Sequence, residues 1–252
     1  MKRLFGGACV LVFAMLGQAN AGDFKGFYAG ANVGGVSSSS DAATTTVFSP
    51  TGYFAPSSVP AIATVGAQKL GSNGFTGGGE AGFNLQHNAF VIGVEADFGG
   101  MKLDKIATGT APYPCCPTTN FTVRQALSTS WLITARPRVG FAAGPLLIYG
   151  TGGLAVTSVD YTALFTDTFA SANELGGKNG SQTGWAAGGG AEFKTGKHWS
   201  MKAELLHADF GSQSVTSTNL HAPATTAWPT NVFTHKENLS GNLYRFGFNF
   251  YL

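Results

Sequence analysis

Long apolar runs, charge and clustered cysteines are what this chain has least of, and each shortage closes a class of fold or function. No stretch reaches the roughly 20 consecutive apolar residues that a membrane-spanning helix needs. Charged residues make up only 11% of the chain, with 15 basic and 13 acidic side chains. They form no basic patch of the kind that tracks a nucleic acid. The 3 cysteines cannot build a zinc site: Cys9 lies in the N-terminal apolar segment, while Cys115 and Cys116 are neighbours between Pro114 and Pro117. In an exported chain that pair is either two free thiols or a vicinal disulfide, and a ring closed between neighbours would shape only its own loop.

Export is written at the N-terminus. Lys2 and Arg3 precede an apolar run over residues 4–16, followed by Gly17, Gln18, Ala19, Asn20 and Ala21. A basic start, a short apolar middle and an A-x-A box make a secretory signal peptide, cut after Ala21. Gly6, Gly7 and the shortness of the run argue against a membrane helix. Gly6, Gly7 and Ala8, the three residues directly before Cys9, lack the leucine of a lipobox. The expected organisation is a signal peptide over residues 1–21 and one exported domain over residues 22–252. Losing Lys2 and Arg3 with the signal brings the 15 basic residues level with the 13 acidic ones.

What the exported part has in abundance is glycine, 36 in the chain, and Phe, 20. The large residues alternate with small or polar ones at period two, the signature of strands. Tyr244, Phe246, Phe248, Phe250 and Leu252 share a face opposite Arg245, Gly247, Asn249 and Tyr251. Trp131, Ile133, Ala135, Pro137, Val139 and Phe141 oppose Ser130, Thr134, Arg136, Arg138 and Gly140. Residues 27–33, 75–85, 90–98, 146–156, 185–193 and 199–205 repeat the dyad and bring the strand segments to eight.

Alternation alone does not separate a soluble sandwich from a membrane barrel; the connections do. Short turns at residues 86–88, 143–145 and 195–198 alternate with long connections over residues 36–74, 100–129, 162–183 and 212–241, as short periplasmic turns and long outer loops do in transmembrane barrels. Aromatics also bracket the outward faces of three strands: Phe75 and Phe83, Trp131 and Phe141, Trp185 and Phe193. At about 3.3 Å per residue and a tilt of roughly 40°, those spacings cover about 20–25 Å, the height of the apolar band between two aromatic girdles. The fold class is therefore all-β, an eight-stranded antiparallel up-and-down transmembrane β-barrel with short periplasmic turns and long extracellular loops, located in the cell outer membrane.

Taken together, DFKGFYAGANVGG from Asp23, GGGEAGFNLQHNAFVIGVEADF from Gly77, WLITARPRVGF from Trp131, LIYGTGGLAV from Leu147, GWAAGGGAEF from Gly184, WSMKAELLHADFG from Trp199 and YRFGFNFYL from Tyr244 resemble one family. It is that of the small porin-like outer-membrane β-barrel proteins of alphaproteobacteria, which include surface antigens and hemin-binding proteins. The resemblance runs over essentially the whole exported part. It departs at Leu252, where the family ends in Phe, the residue that marks a chain for the assembly machinery, and in the loops, which match no known member.

Strand parity sends ten charged residues into the interior: Glu80, Glu95, Asp97, Glu192 and Glu204 with Arg136, Arg138, Lys194, Lys202 and Arg245. An eight-stranded barrel is only wide enough for side chains to fill it, so these groups are expected to pair in a charge network rather than line a channel. Gly77, Gly79 and Gly82 fit a dinucleotide fingerprint, but no helix pattern follows them, and close packing inside a narrow barrel explains them better. The sequons at Asn120, Asn179 and Asn238 are what chance gives in Ser/Thr-rich loops. His87 and His198 fall in periplasmic turns, and no serine partners His207 and Asp209, so no hydrolytic triad is expected and the chain reads as a non-enzyme. His207, His221 and His235 remain as the hemin ligands that the resemblance would allow.

No cofactor or metal is expected. The favoured function is a structural surface barrel that presents its loops, with a narrow diffusion porin and a hemin-binding receptor or adhesin as alternatives. Its expected partners are outer-membrane lipid and lipopolysaccharide, the barrel-assembly machinery and a host or environmental surface ligand, with no nucleic acid.

Overall fold

Period-two alternation runs almost unbroken through the exported part, and the backbone follows it. The computed structural model describes residues 23–223 and 225–252, so the signal peptide expected over residues 1–21 lies outside the described residues. The elements in chain order are β1 (Gly26–Ser39), β2 (Asp41–Thr46), α1 (Ser58–Gly66), β3 (Gln68–Lys69), β4 (Asn73–His87), β5 (Phe90–Tyr113), β6 (Cys116–Ala143), β7 (Leu146–Asp167), β8 (Asn173–Lys194), β9 (Trp199–Ser217) and β10 (Phe233–Tyr251).

Strands β1 and β4 to β10 pair antiparallel in sequence order, and β10 returns to β1 with Tyr28 opposite Tyr251 and Ser39 opposite Ser240. The closed ring leaves no strand edge unpaired where hydrocarbon offers no hydrogen bonds. The turns at one end are tight, with left-handed backbone at Asn88 (φ 53°) and Gly144 (φ 57°). Both ends of the barrel domain lie on this periplasmic side, beside those turns.

The long connections are present, but most of their length is strand. Residues 100–129, expected as loop, lie almost wholly in β5 and β6, and residues 162–183 lie mainly in β7 and β8. At 24 and 28 residues, β5 and β6 far exceed the 9–11 residues that cross a bilayer. The barrel wall therefore continues past the membrane as an extension. Strand β2 prolongs the line of β1 along β10, with Ala42 opposite Glu237 and Thr46 opposite Phe233. Strand β4 begins only at Asn73, and α1 fills the resulting gap by packing on β2, β5 and β6.

The hydrophobic pattern inverts where the extension begins. In the lower barrel Phe90, Ile92, Val94 and Phe98 on β5 and Phe246 and Phe248 on β10 point outward and are exposed on the wall. In the extension the outward faces carry residues such as Thr122, Arg124 and Lys236, while Phe121, Val123, Phe165 and Phe233 are buried inside. Two irregularities shift the phase at this boundary. Strand β6 slips between Ser128 and Leu132 relative to β7. Strand β9 bulges near Gly211 (φ 72°), whose N–H donates to Asp209 Oδ1 at 2.7 Å. A bulge sends every following side chain to the opposite face.

The glycines of the lower barrel make room inside rather than bind phosphate. Gly82 lies within β4, and a Cβ there would stand 2.3 Å from the Tyr28 ring. That close approach accounts for Gly82 alone: Gly77 and Gly79 lie on the outward parity of β4, where a Cβ at Gly79 would stand 3.8 Å from its nearest neighbour, so interior packing does not explain them.

Two equally exposed residues on one strand test where the lipid ends. Val94 is 58% exposed and Ile106 is 55% exposed. Val94→Arg should destabilise the barrel by about 2–4 kcal/mol in urea titrations in lipid vesicles. Ile106→Arg, in water, should stay within about 0.5 kcal/mol of the parent.

Candidate functional site

The lumen is the place where chemistry-bearing side chains converge, and it is filled in layers. Nearest the periplasm, Phe24, Tyr28, Val91, Leu147, Tyr149 and Tyr251 form an apolar floor. Above it sits the charge network, then an apolar layer that includes Val36, Met101, Leu103, Leu132, Leu206 and Leu243. A second polar cluster follows, and an aromatic cap that includes Phe54, Tyr113, Phe121, Phe165 and Phe233 closes the outer mouth.

Nine of the ten charges expected inside join one buried network. Adjacent strands bring Glu95 on β5 opposite Arg136 on β6. Arg136 lies 3.0 Å from Glu95, 3.0 Å from Asp97 and 3.2 Å from Glu204. Arg245 bridges Asp97 at 3.0 Å and Glu204 at 2.8 Å. Lys202 reaches Glu80 at 2.7 Å and Glu95 at 2.9 Å. Arg138 pairs with Glu192 at 3.0 Å and lies between the Tyr28 and Tyr149 rings, 4.8 and 5.0 Å from their centroids.

Neutral groups satisfy further carboxylate lone pairs. Tyr28 donates to Glu95 at 2.8 Å, Tyr251 to Glu192 at 2.7 Å, Tyr149 to Glu204 at 3.1 Å and Asn32 to Glu80 at 2.7 Å. Sequence reasoning passed over these tyrosines as network members, although strand parity places all three on the inner face. Buried ions need such saturation, because each unpaired charge in a low-dielectric interior costs several kcal/mol.

Lys194 does not join this network. It stands at the periplasmic rim with Nζ 3.2 Å from the Tyr251 ring centroid. Parity identified its face correctly, but not its height along the barrel.

The three histidines named as hemin ligands occupy three separate environments. His207 faces outward, its Nδ1 2.9 Å from Asn242 Oδ1 and its ring 5.6 Å from Trp185. His221 lies in the connection from β9 to β10, with Nδ1 2.7 Å from the Asn219 carbonyl. His235 is buried in the upper lumen between Thr44, 3.0 Å from Nδ1, and Glu174, 3.2 Å from Nε2. A ligand held by His207 on the outer wall is out of reach of His235 inside it. Asp209 accepts from the Gly211 backbone rather than orienting His207.

Sequence reasoning missed the second polar cluster, which lies beyond the phase shifts. Thr44, Gln125, Tyr161, Glu174, Gln182, His235 and Glu237 are all buried there. Tyr161 donates to Gln125 at 2.6 Å, and Gln125 donates to the Gly66 carbonyl of α1 at 2.8 Å. Tyr161, Gln182, His235 and Glu237 line a void of about 20 Å³, room for about one water. Burial pushes the Glu237 carboxyl up to about 7, against the opposing pull of Gln182 and Lys178.

The model of the outer membrane protein beta-barrel domain family matches residues 6–248. The 31 kDa outer-membrane immunogenic proteins of Brucella melitensis biotype 1 and Brucella suis biovar 1 are 31% identical to this chain over 153 residues, 60% of this chain and 60% of theirs. A 22 kDa outer membrane protein of Rhizobium leguminosarum bv. viciae is 25% identical over 140 residues, 56% of this chain and 54% of its own length. The aligned part thus spans little more than half the length of these relatives. Among solved structures, Neisserial surface protein A is 13% identical with a TM-score of 0.38, covering 90% of this chain and 98% of its own. The Escherichia coli outer membrane protease OmpT is 8% identical with a TM-score of 0.42, covering 90% and 97%.

Two predictions follow the two polar layers. Glu95→Gln leaves Arg136, Arg138 and Lys202 short of one charge, and should cost about 3–5 kcal/mol in equilibrium unfolding. Combined with Arg136→Gln in a double-mutant cycle, it should show a coupling of about 1 kcal/mol or more, whereas additive effects would mean that the two charges do not sense each other. In the upper cluster, the folded state holds the Glu237 proton more tightly than the unfolded chain, whose carboxyl has the ordinary value near 4.3. That contribution to stability is fully present below about pH 4 and is lost as pH rises towards about 7. Glu237→Gln should flatten the parent's decline in urea midpoint between about pH 4.5 and 7.5; an unchanged slope would contradict the assignment.

Proposed function

The chain belongs to the outer membrane protein beta-barrel domain family, and from that premise we propose that it is a non-conducting structural surface protein whose lumen is plugged and whose rigid extension is presented outside the cell. The signal peptide over residues 1–21 directs export, cleavage after Ala21 releases the domain, and the barrel-assembly machinery inserts it. The apolar belt then anchors the lower barrel among lipid and lipopolysaccharide. The protein performs no catalysis. Its extension and the connection between β9 and β10 meet the host or environmental ligand.

The observation that carries this reading is the filling of the lumen. A diffusion path would have to cross an apolar floor, a layer of paired ions, a second apolar layer and an aromatic cap. Ion pathways need polar groups that a permeant ion can use in place of its water, and this lumen uses its polar groups on one another. The wide separation of His207 and His235 argues in the same way against a three-histidine hemin site.

Planar-bilayer recordings of refolded protein, run beside a hemin titration, test the proposal. It predicts no discrete openings and no saturable hemin binding. Steady single-channel conductance would favour a porin. Saturable hemin binding lost on changing His207, His221 and His235 would favour a receptor.

A further inference from the structure

The hairpin between β5 and β6 carries a feature that a plugged surface barrel does not need. Its turn is Pro114 and Cys115, with Cys116 opening β6 and Pro117 next along the strand. These are the two longest strands, and Tyr113 at the end of β5 reaches Asp167 in the outer rim at 2.8 Å. The thiols are therefore held at the outer end of the molecule. Cys115 is exposed and Cys116 half-buried, both are free, and their sulfurs lie 3.0 Å apart. Tyr113 pairs with Cys116 across the turn, and Thr119 Oγ1 donates to the Cys116 carbonyl at 2.8 Å, which fixes the backbone that carries them.

Chain geometry favours an atom between these sulfurs over a bond between them. Neighbouring Cα atoms across a trans peptide are about 3.8 Å apart, shorter than the roughly 4.4 Å at which ordinary disulfides begin. A direct disulfide would have to distort the turn, whereas an atom bonded to both sulfurs lengthens the bridge. Among the described residues no group of three or more His, Cys, Asp or Glu side chains gathers to hold a metal. Zinc, which takes four ligands, is therefore poorly served, while a soft centre content with two thiolates is well matched.

We propose that Cys115 and Cys116 form a dithiol site at the outer rim that chelates a thiophilic metalloid, of the class represented by trivalent arsenicals. With phenylarsine oxide as the probe, two As–S bonds form, two S–H bonds and the As–O bond break, and the oxygen leaves with both protons as water. Arsenic stays trivalent and no oxidant is required. The Cys116 thiol donates to Cys115, and that hydrogen bond pushes the Cys116 thiol up.

The test uses the full chain carrying Cys9→Ser, refolded in detergent, so that only this pair can react. Titration with phenylarsine oxide should consume two thiols per arsenic bound. Cys115→Ser and Cys116→Ser should each weaken binding by about 100-fold or more, the loss expected when a tethered second contact is removed. Both variants alter only the turn, and an unchanged shift between heated and unheated samples on a gel verifies their fold. Equal binding by parent and single variants would overturn the proposal. So would a mass lower by two hydrogens in protein isolated without reductant, which would show that the pair already exists as a disulfide.

Discussion

The solvent changes along the axis of this barrel, and the rest of the structure depends on that change. In the lower half the wall faces hydrocarbon, so large apolar side chains belong outside and the lumen takes what lipid rejects. In the upper half the wall faces water, and the same ring of strands must bury its apolar residues inside, as any soluble fold does. One continuous sheet thus serves two opposite hydrophobic patterns. Phase shifts on β6 and β9 adjust the faces where the two meet.

The narrow ring turns this inversion into a closed interior. Eight strands enclose only enough space for side chains, so the charges that parity sends inward cannot keep their water and must find one another. Arg136, Arg138, Lys202 and Arg245 are shared among Glu80, Glu95, Asp97, Glu192 and Glu204, with tyrosine hydroxyls taking up further lone pairs. Such a network is sensitive to the loss of any one member, and it locks neighbouring strands in register. The apolar layer above it adds residues such as Leu132, Leu206 and Leu243 to the same narrow space. In the function proposed above, stability and lack of conduction are two results of the same packing.

The lower barrel was legible in the sequence because the contrast there is strong. Phe and Trp facing lipid alternate with Gly, Arg and Glu facing inward, and the short turns punctuate each pair of strands. The extension was not legible because its outward residues are Thr, Ser and Asn, which look like loop, and because the slip near Ser128 and the bulge near Gly211 invert the alternation that would have betrayed a strand. His235 and Glu237 on β10 and Glu174 on β8 keep the same inward parity as the lower barrel, and they were hidden because their segments, residues 212–241 and 162–183, read as loop. Lys194 illustrates a different limit: period two identifies a face, while the height at which a long side chain ends depends on the tilt and stagger of the ring.

Solvent access to the centre of the lumen tests the account most directly. Ala208 on β9 is buried within the apolar layer, whereas Ser37 on β1 faces outward. In a chain whose own cysteines are replaced by serine, Ala208→Cys should resist a small water-soluble thiol reagent in the folded barrel and react fully once the barrel is unfolded. Ser37→Cys supplies the rate of an open site. Labelling of folded Ala208→Cys at a rate comparable to Ser37→Cys would mean that water fills the lumen, and would contradict the closed interior.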